Sequence, residues 1–432
     1  VKSLAAQPNL RRNFWMHCLE GGLYMSGSAF LGPETVLPAM VKSLGGSNAL
    51  IALMPVLLPA AYALPGLFVA PLVERLGRLK PFVVFFGVLQ RLPYLITGLV
   101  MLLAPQASGA ILTLVVLTPI VSGVVGGVGV NAWMEWVTRL IPQHLRASGW
   151  AIRYMIQGVI GLAAGPVIHW VFTHQPGAHG YSTLHLICFG FLTLSLLAQL
   201  RIRDEVPAAS PSFPGRSPLP FRYGPYLRAL PGMLQSQPQL IRLVLARFTG
   251  MGYLMLAGFM SIHALEVTHQ PQAAIGHLVL ATMIGSLFGN LFAGWWGNRH
   301  GGKVAMLLSR CLCLGLCLTL PFVSSFPAFL AVFFVWGFGL FVDKVGDLTF
   351  SAELCPFERR PTYQAMLAFF QMISLLGSVT LGGWVYSQSG SFHALTLMCG
   401  LFATVSILIL HSIPEVRKKH LPPVMGENPP MG

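Results

Sequence analysis

Charge is what this sequence has least of. Only 9% of its 432 residues are Asp, Glu, Lys or Arg, against roughly 25% in an ordinary soluble domain. Acidic residues are the scarcer sign, 13 against 27 basic. So thin a polar supply cannot coat a water-soluble particle of this length, which excludes a globular soluble enzyme. With 54% hydrophobic residues and a mean hydropathy of +0.68, the apolar excess must face lipid. The sequence also lacks a G-x-x-x-x-G-K-S/T loop, so a nucleotide-driven pump is not indicated and no cofactor is expected. The seven cysteines (Cys18, Cys188, Cys311, Cys313, Cys317, Cys355 and Cys399) lie in or beside apolar runs without the spacing of a disulfide framework. They are expected to be reduced. The formal net charge of +14 does not indicate nucleic acid, because the basic residues punctuate the apolar runs and form no binding stripe.

Apolar runs are what the sequence has in abundance. Stretches of about 20 residues cross a hydrocarbon core of roughly 30 Å as helices. Twelve recur, at 13–40, 48–72, 81–103, 109–138, 147–172, 182–201, 240–263, 274–297, 304–322, 327–352, 362–386 and 391–412. The expected fold class is an all-α polytopic membrane protein. Lys2, Arg11, Arg12, Arg75, Arg78, Lys80, Arg139, Arg146, Arg201, Arg203, Arg299, Lys303, Arg359, Arg360 and Arg417 to Lys419 fall on one side of this map, and only Lys42 falls on the other. Basic loops stay in the cytoplasm, so both termini are expected there, as an even number of spans requires. The first span has no cleavage pattern and is expected to remain as a helix broken near Gly32-Pro33. Residues 204–239, rich in Pro, Ser and Gly, divide the runs six and six. The expected organisation is a six-helix bundle over 1–203, a cytoplasmic linker over 204–239 with a short amphipathic piece at 226–234, a second bundle over 240–413 and a disordered tail over 414–432.

The halves repeat one another. Pro8-x-Leu10-x-Arg12 with Gly22-Leu23-Tyr24-Met25 answers to Pro238-x-Leu240-x-Arg242 with Gly252-Tyr253-Leu254-Met255. Glu74-Arg75-Leu76-Gly77 answers to Asn298-Arg299-His300-Gly301, and Pro142-x-x-x-Arg146 with Gln157 answers to Pro356-x-x-x-Arg360 with Gln371. Three matches in order, at equivalent topological positions, indicate two pseudo-symmetric six-helix bundles around a site between them.

The loop Ala70-Pro71-Leu72-Val73-Glu74-Arg75-Leu76-Gly77-Arg78-Leu79-Lys80 resembles the signature of the major facilitator superfamily, G-x-x-x-D/E-R-x-G-R/K-R/K, and Gly294 to Lys303 is its second copy. The first copy has Ala70 for Gly and an intruding Leu79; the second has Asn298 for the acid. The resemblance implies a secondary transporter with rocking-bundle alternating access. Spans one, four, seven and ten would line its cavity, and Glu74, Arg75, Gly77, Arg78, Arg299 and Gly301 would form its gating loops. Gly158-x-x-Gly161-x-x-x-Gly165-Pro166 in span five is similar to part of a motif of proton-driven exporters, without its closing glycine pair; close helix packing through small residues explains it equally.

Charges within the spans are costly in lipid and are functional candidates. Glu20 lies eight residues past Arg12, about 12 Å along the helix, with His17 on the same face. Asp343 lies ten residues before Glu353, about 15 Å deep, with Asp347 one turn away. Two carboxylates so placed resist joint ionisation. Asp343, Glu20, His17 and Asp347 are the candidate proton-coupling groups, Asp343 first because it is deeper and less obviously paired; Lys344 is placed to pair with Asp347. Arg153, Lys344, Tyr24, Trp133, Gln157 and Gln371 are candidate substrate contacts. Arg91 and Glu135, the latter one turn before Arg139, are read as structural charges, and Arg247 and Arg310 as snorkelling to a membrane surface.

Met16, His17, Cys18 and Met25 in span one, with Met251, Met255, Met260 and His263 in span seven, form a soft-ligand set suited to monovalent copper. Methionines in apolar helices usually serve packing, so metal transport ranks below an organic solute. Cys313 and Cys317 share a face of a peripheral span and are assigned no site. The expected protein is a monomeric transporter in the cell membrane, driven by protons and acting on a small amphipathic organic molecule, with export favoured by the span-five motif. Import of an organic anion or sugar and a non-transporting receptor or assembly factor are the alternatives.

Overall fold

Gly32 ends the first helix. Its φ of +38° is open to glycine at little steric cost. Behind it α1 runs over Pro8–Leu31, and beyond it α2, over Val36–Ser43, turns away as a short separate piece. In this computed structural model residues 8–63, 78–141, 143–203, 232–355 and 360–414 are described, together with positions 65, 69, 73, 76, 224 and 228. The first half continues with α3 (Asn48–Ala63), α4 (Lys80–Leu103), α5 (Ser108–Leu140), α6 (Gln143–His174) and α7 (Ala178–Leu200). In the second half α8 (Pro238–Gly250) passes through a 3-10 turn at Met251–Tyr253 into α9 (Leu254–Thr268), and the two make one span. Then follow α10 (Ile275–His300), α11 (Gly302–Thr319), α12 (Phe326–Leu354), α13 (Arg360–Ser389) and α14 (Phe392–Ser412).

By length and composition ten of these segments can cross a membrane. The two others are α1, made less apolar by Arg11, Arg12, His17 and Glu20, and α3, whose described residues end at Ala63. The architecture is thus an all-α bundle of twelve spans, helices being one of the two forms in which a backbone crosses lipid. The amphipathic piece expected over 226–234 falls partly outside the described residues; its end, a helical turn at 232–235, packs Met233 and Leu234 on the second half. The tail from 415 also lies outside them.

Packing repeats between the halves. In the first, α1 lies on α7, α4 on both α5 and α7, and α3 on α5. In the second, α8 lies on α14, α11 on both α12 and α14, and α10 on α12. Lys80, at the start of α4, donates to the carbonyls of Leu200 (3.0 Å) and Ile202 (2.7 Å), just where α7 ends. Lys303, at the start of α11, donates to those of His411 (3.3 Å) and Ile413 (2.5 Å), just where α14 ends. A cation on the orphan carbonyls of a helix C-terminus offsets both their missing bonds and the helix dipole. Gly301, at φ +87°, makes the tight turn between α10 and α11.

Two helix pairs make most of the contact between the halves, α3 with α13 and α6 with α10, and α9 adds contacts to α2 and α3. The second pair is very close: a side chain added at Gly165 would meet the Gly276 carbonyl and Leu280, and one at Gly276 would meet the Gly165 carbonyl and His169. Small residues let two backbones approach in this way. Polar contacts between the halves gather at the Lys42 end. Lys42 pairs with Glu266, the Trp336 indole donates to Glu34 (2.7 Å), the Ser261 hydroxyl donates to the Thr35 carbonyl (3.3 Å), and His169 Nδ1 lies 3.0 Å from the Ala273 carbonyl.

Candidate functional site

Two buried charges meet beside a buried histidine inside the first half. Arg153 reaches from α6 to α1, where its Nη1 donates to Glu20 Oε2 at 3.1 Å and to the His17 carbonyl at 3.3 Å, and lies 3.0 Å from His17 Nδ1. The guanidinium stands in the corner made by two indoles, 4.7 Å from the Trp133 ring and 4.8 Å from that of Trp150, a contact that strengthens as water is excluded. Gly21 makes this possible, because any side chain there would occupy the position of the guanidinium. Glu20 is 5% exposed and Arg153 4%. A guanidinium so buried needs the counter-charge that Glu20 supplies.

Arg91 from α4 is equally buried, yet its partners are the Leu192 carbonyl (2.6 Å), the Gly87 carbonyl (2.5 Å) and the Ser195 hydroxyl (3.2 Å). Its guanidinium stands 5.6 Å from the Tyr24 ring centre. Tyr24 in turn accepts from Gln90 Nε2 at 2.6 Å. These groups line a cavity of about 260 Å³ whose walls include Glu20, Arg91 and Arg153, with the Gln199 amide and the rings of Tyr62 and Trp133. Gln199 is 4% exposed, and its Oε1, although buried, has no hydrogen-bond partner. Gly126 keeps the cavity open, for a side chain there would run into Gln90 and Tyr62. The lining therefore carries two guanidinium groups, one carboxylate and two amides between aromatic walls, the pattern of a site for a polar organic molecule.

The second half holds its charges differently. Arg247 on α8 grips Asp347 with both arms, Nε to Oδ1 at 2.6 Å and Nη2 to Oδ2 at 2.8 Å, and also reaches the Ser351 hydroxyl at 2.7 Å. Arg310 on α11 places Nη2 3.0 Å and 3.1 Å from the two oxygens of Asp343, in hydrogen-bond geometry with Oδ2 alone. Gly250 leaves room for Arg310 as Gly21 does for Arg153. The space beside Asp343, lined also by Tyr253 and Ser309, is about 20 Å³, enough for one water.

These contacts correct several expectations. Asp343 is paired, and with Arg310. Asp347 turns to Arg247, while the exposed Lys344 lies over the Phe341 ring, 5.0 Å from its centre. Arg247 and Arg310, far from snorkelling, are 4% and 1% exposed. They were misplaced because depth was counted along the chain without regard to the facing helix. Glu135 pairs with Arg139 at 3.0 Å. Gln157 and Gln371 are half-buried. Glu74, Arg75 and Gly77 lie outside the described residues; Arg78 is exposed, and Arg299 stacks on Trp295, 5.0 Å from the ring centre. The soft-ligand set does not assemble: Met251, Met255 and Met260 are buried in the second half's core, His263 stacks on Phe392, and His17 belongs to Arg153. Gln90, Gln199, Tyr62 and Trp150 escaped the sequence reading. Gln90, adjacent to the deep Arg91, was the one with a signal.

Residues 242–431 match the sequence profile of the Major Facilitator Superfamily, and solved transporters share the fold along nearly the whole chain. The crystal structure of a D-xylose-proton symporter superposes with a TM-score of 0.69 at 14% identity, covering 96% of this chain and all of the other. That of the nucleoside transporter NupG gives 0.66 at 13% identity, covering 93% of this chain and all of NupG. The second half thus matches that superfamily's profile, and the fold of nearly the whole chain is that of these solved transporters. Among curated relatives, "Solute carrier family 2, facilitated glucose transporter member 10" of Danio rerio is 29% identical over 148 residues, 32% of this chain and 28% of that protein. The aligned stretch thus spans little more than a quarter of that relative. The protein is a multi-pass membrane protein with the fold of these transporters.

Proposed function

We propose that this transporter is proton-coupled and carries a small, hydroxylated or anionic organic molecule, bound in the cavity of the first half. The observation that carries this reading is the lining itself. A membrane helix bundle gains nothing in stability from two guanidinium groups, a carboxylate and an unpartnered amide around open space, and their donors and acceptors suit hydroxyl or carboxylate groups. Arg153, Arg91, Gln90, Gln199 and Tyr24 supply the polar contacts, while Trp133 and Trp150 stack on the apolar face of the solute. Lys344, Gln157 and Gln371 contact it as it passes between the halves. Glu20, held by Arg153 and beside His17, is the proton site nearest the solute, because a proton on it frees Arg153 to turn to the substrate. Asp343, backed by Asp347, is the corresponding group of the second half.

By the distribution of Lys and Arg, both termini face the cytoplasm of a cell-membrane protein, and the Lys42 end is the outer one. The contacts gathered there are then an outer seal, broken and remade as the two bundles rock. Bundles 1–203 and 240–413 are the moving units, 204–239 tethers them, and Arg78 with the gating loops closes the inner end. The protein acts as a monomer, with no nucleic-acid partner.

Two observations bear on direction. The hydroxyl-binding lining, with the sugar and nucleoside transporters of like fold, favours uptake. The Gly165 face at the outer seal, in the stretch similar to an exporter motif, favours antiport. Proteoliposomes with an internal pH dye, offered sugars, polyols, nucleosides and carboxylates, test both. A solute gradient that acidifies the lumen shows symport, and one that alkalinises it shows antiport. Solute exchange with no proton movement, or binding with no flux, would defeat the coupling or the transport reading respectively.

A further inference from the structure

Three cysteines converge far from the solute cavity. Cys313 and Cys317 lie four residues apart on α11, hence on one face, and α14 brings Cys399 against them. The three sulfur atoms lie within 4.8 Å of one another, with Cys313 and Cys399 Sγ 3.9 Å apart. A soft ion with metal–sulfur bonds of about 2.3 Å in trigonal coordination holds its three sulfurs about 4.0 Å apart. One pair already has that spacing, and the other sulfurs lie within 4.8 Å, about 0.8 Å beyond it at most. Cys317 and Cys399 are buried, which excludes competing water.

We propose that Cys313, Cys317 and Cys399 form a binding site for a monovalent soft cation, of the Cu(I) class. The donor set decides the class. Three sulfurs without an imidazole leave tetrahedral Zn²⁺ a ligand short, and hard cations require oxygen ligands. The one nearby carboxylate, Asp343, is held by Arg310. Each thiol that ligates as thiolate releases one proton, and three thiolates around one monovalent cation carry a net charge of two minus. Arg310, one turn before Cys313, lies where that charge needs it, and Cys313 shares with Asp343 the small space through which protons can leave.

The test uses the full chain, reduced and purified in detergent without oxygen, titrated with Cu(I) buffered by a bicinchoninate chelator. The expected result is one Cu(I) per protein and a copper absorption edge showing a shell of sulfur alone. Cys313→Ser, Cys317→Ser and Cys399→Ser should each weaken binding at least tenfold, whereas Cys311→Ser and Cys355→Ser should not. Should a serine variant fold poorly, the alanine variants Cys317→Ala and Cys399→Ala serve instead; Cu(I) should raise the melting temperature of the wild type and not theirs. Unchanged affinity in Cys399→Ser or Cys399→Ala would overturn the proposal. So would a wild type that forms a Cys313–Cys399 disulfide in mild oxidant yet takes up no copper when reduced.

Discussion

The two halves of this protein share a helix plan and use their buried charge in opposite ways. In each, a glycine on the first helix clears space for a buried arginine, Gly21 for Arg153 and Gly250 for Arg310. In the first half the arginine faces an open cavity of about 260 Å³. In the second it is locked on Asp343 beside a space of about 20 Å³. Arg91 and Arg310, on corresponding helices, make the contrast sharper: Arg310 has a carboxylate, and Arg91 has carbonyls and a hydroxyl. Where Asp343 stands in the second half, the displacement of 214 residues that relates Gln157 to Gln371 gives Gly129 in the first, and Gly129 lines the cavity. With glycine at the position of the acid, that wall of the cavity is open and Arg91 turns to carbonyls and a hydroxyl instead. One half keeps an open polar cavity and the other is closed around its charges.

Breaking the first half's pair should have the largest effect. Arg153→Ala leaves Glu20 buried without a cation, at a cost of about 3–5 kcal/mol. Solute exchange in proteoliposomes should fall at least a hundredfold. Arg310→Ala should destabilise by a similar amount in a thermal melt while leaving the solute affinity of the surviving folded fraction within a few-fold. Equal loss of affinity in the two would merge the halves' roles and end the comparison.

Next in size is a test of the glycines. Gly21→Ala and Gly250→Ala each drive a methyl group into a guanidinium, and overpacking of this kind costs about 1–3 kcal/mol. The melting temperatures should drop alike. Transport should drop more than tenfold in Gly21→Ala alone, because only there does the displaced arginine face the solute.

Neutral substitutions of the acids separate the proton roles. Glu20→Gln keeps a hydrogen-bond acceptor for Arg153 and removes the titration; it should retain solute exchange and lose pH-driven accumulation. Asp343→Asn should change accumulation less, since its partner lies away from the solute. If both variants keep pH-driven accumulation intact, the coupling protons reside elsewhere.

The architecture was legible because it is written in long-range averages. Twelve apolar runs, one-sided Lys and Arg, and the repeated Gly-Tyr and Arg-x-Gly segments survive any local error in boundaries. The burial of Glu20, Asp343 and Arg153 was equally readable, since charges inside apolar runs must be covered in lipid. Partners were not. Arg153 and Glu20 are separated by 133 residues, Arg247 and Asp347 by 100, and the azimuth of a side chain on its helix depends on packing that a single sequence does not encode. Lys344 was assigned to Asp347 because helical spacing is visible, and Arg247 won because its fork reaches both oxygens from the facing helix. Cys399 was missed as a neighbour of Cys313 for the same reason.

The mildest prediction concerns the feature in which the halves agree. Lys80 and Lys303 each close a helix end with a pair of bonds to carbonyls, and neither stands in the cavity. Charge-assisted bonds at a partly wet boundary are worth about 1 kcal/mol net. Lys80→Met and Lys303→Met keep the apolar stem and delete the donors, so each should lower the melting temperature by a few degrees and leave transport within twofold. Equal small shifts would show that the halves share their scaffold at the residue level and differ only where Gly129 replaces an acid. A large loss of flux in Lys303→Met alone would place the second half's rigidity within the transport cycle, because that lysine ties α11, which carries Arg310, to α14.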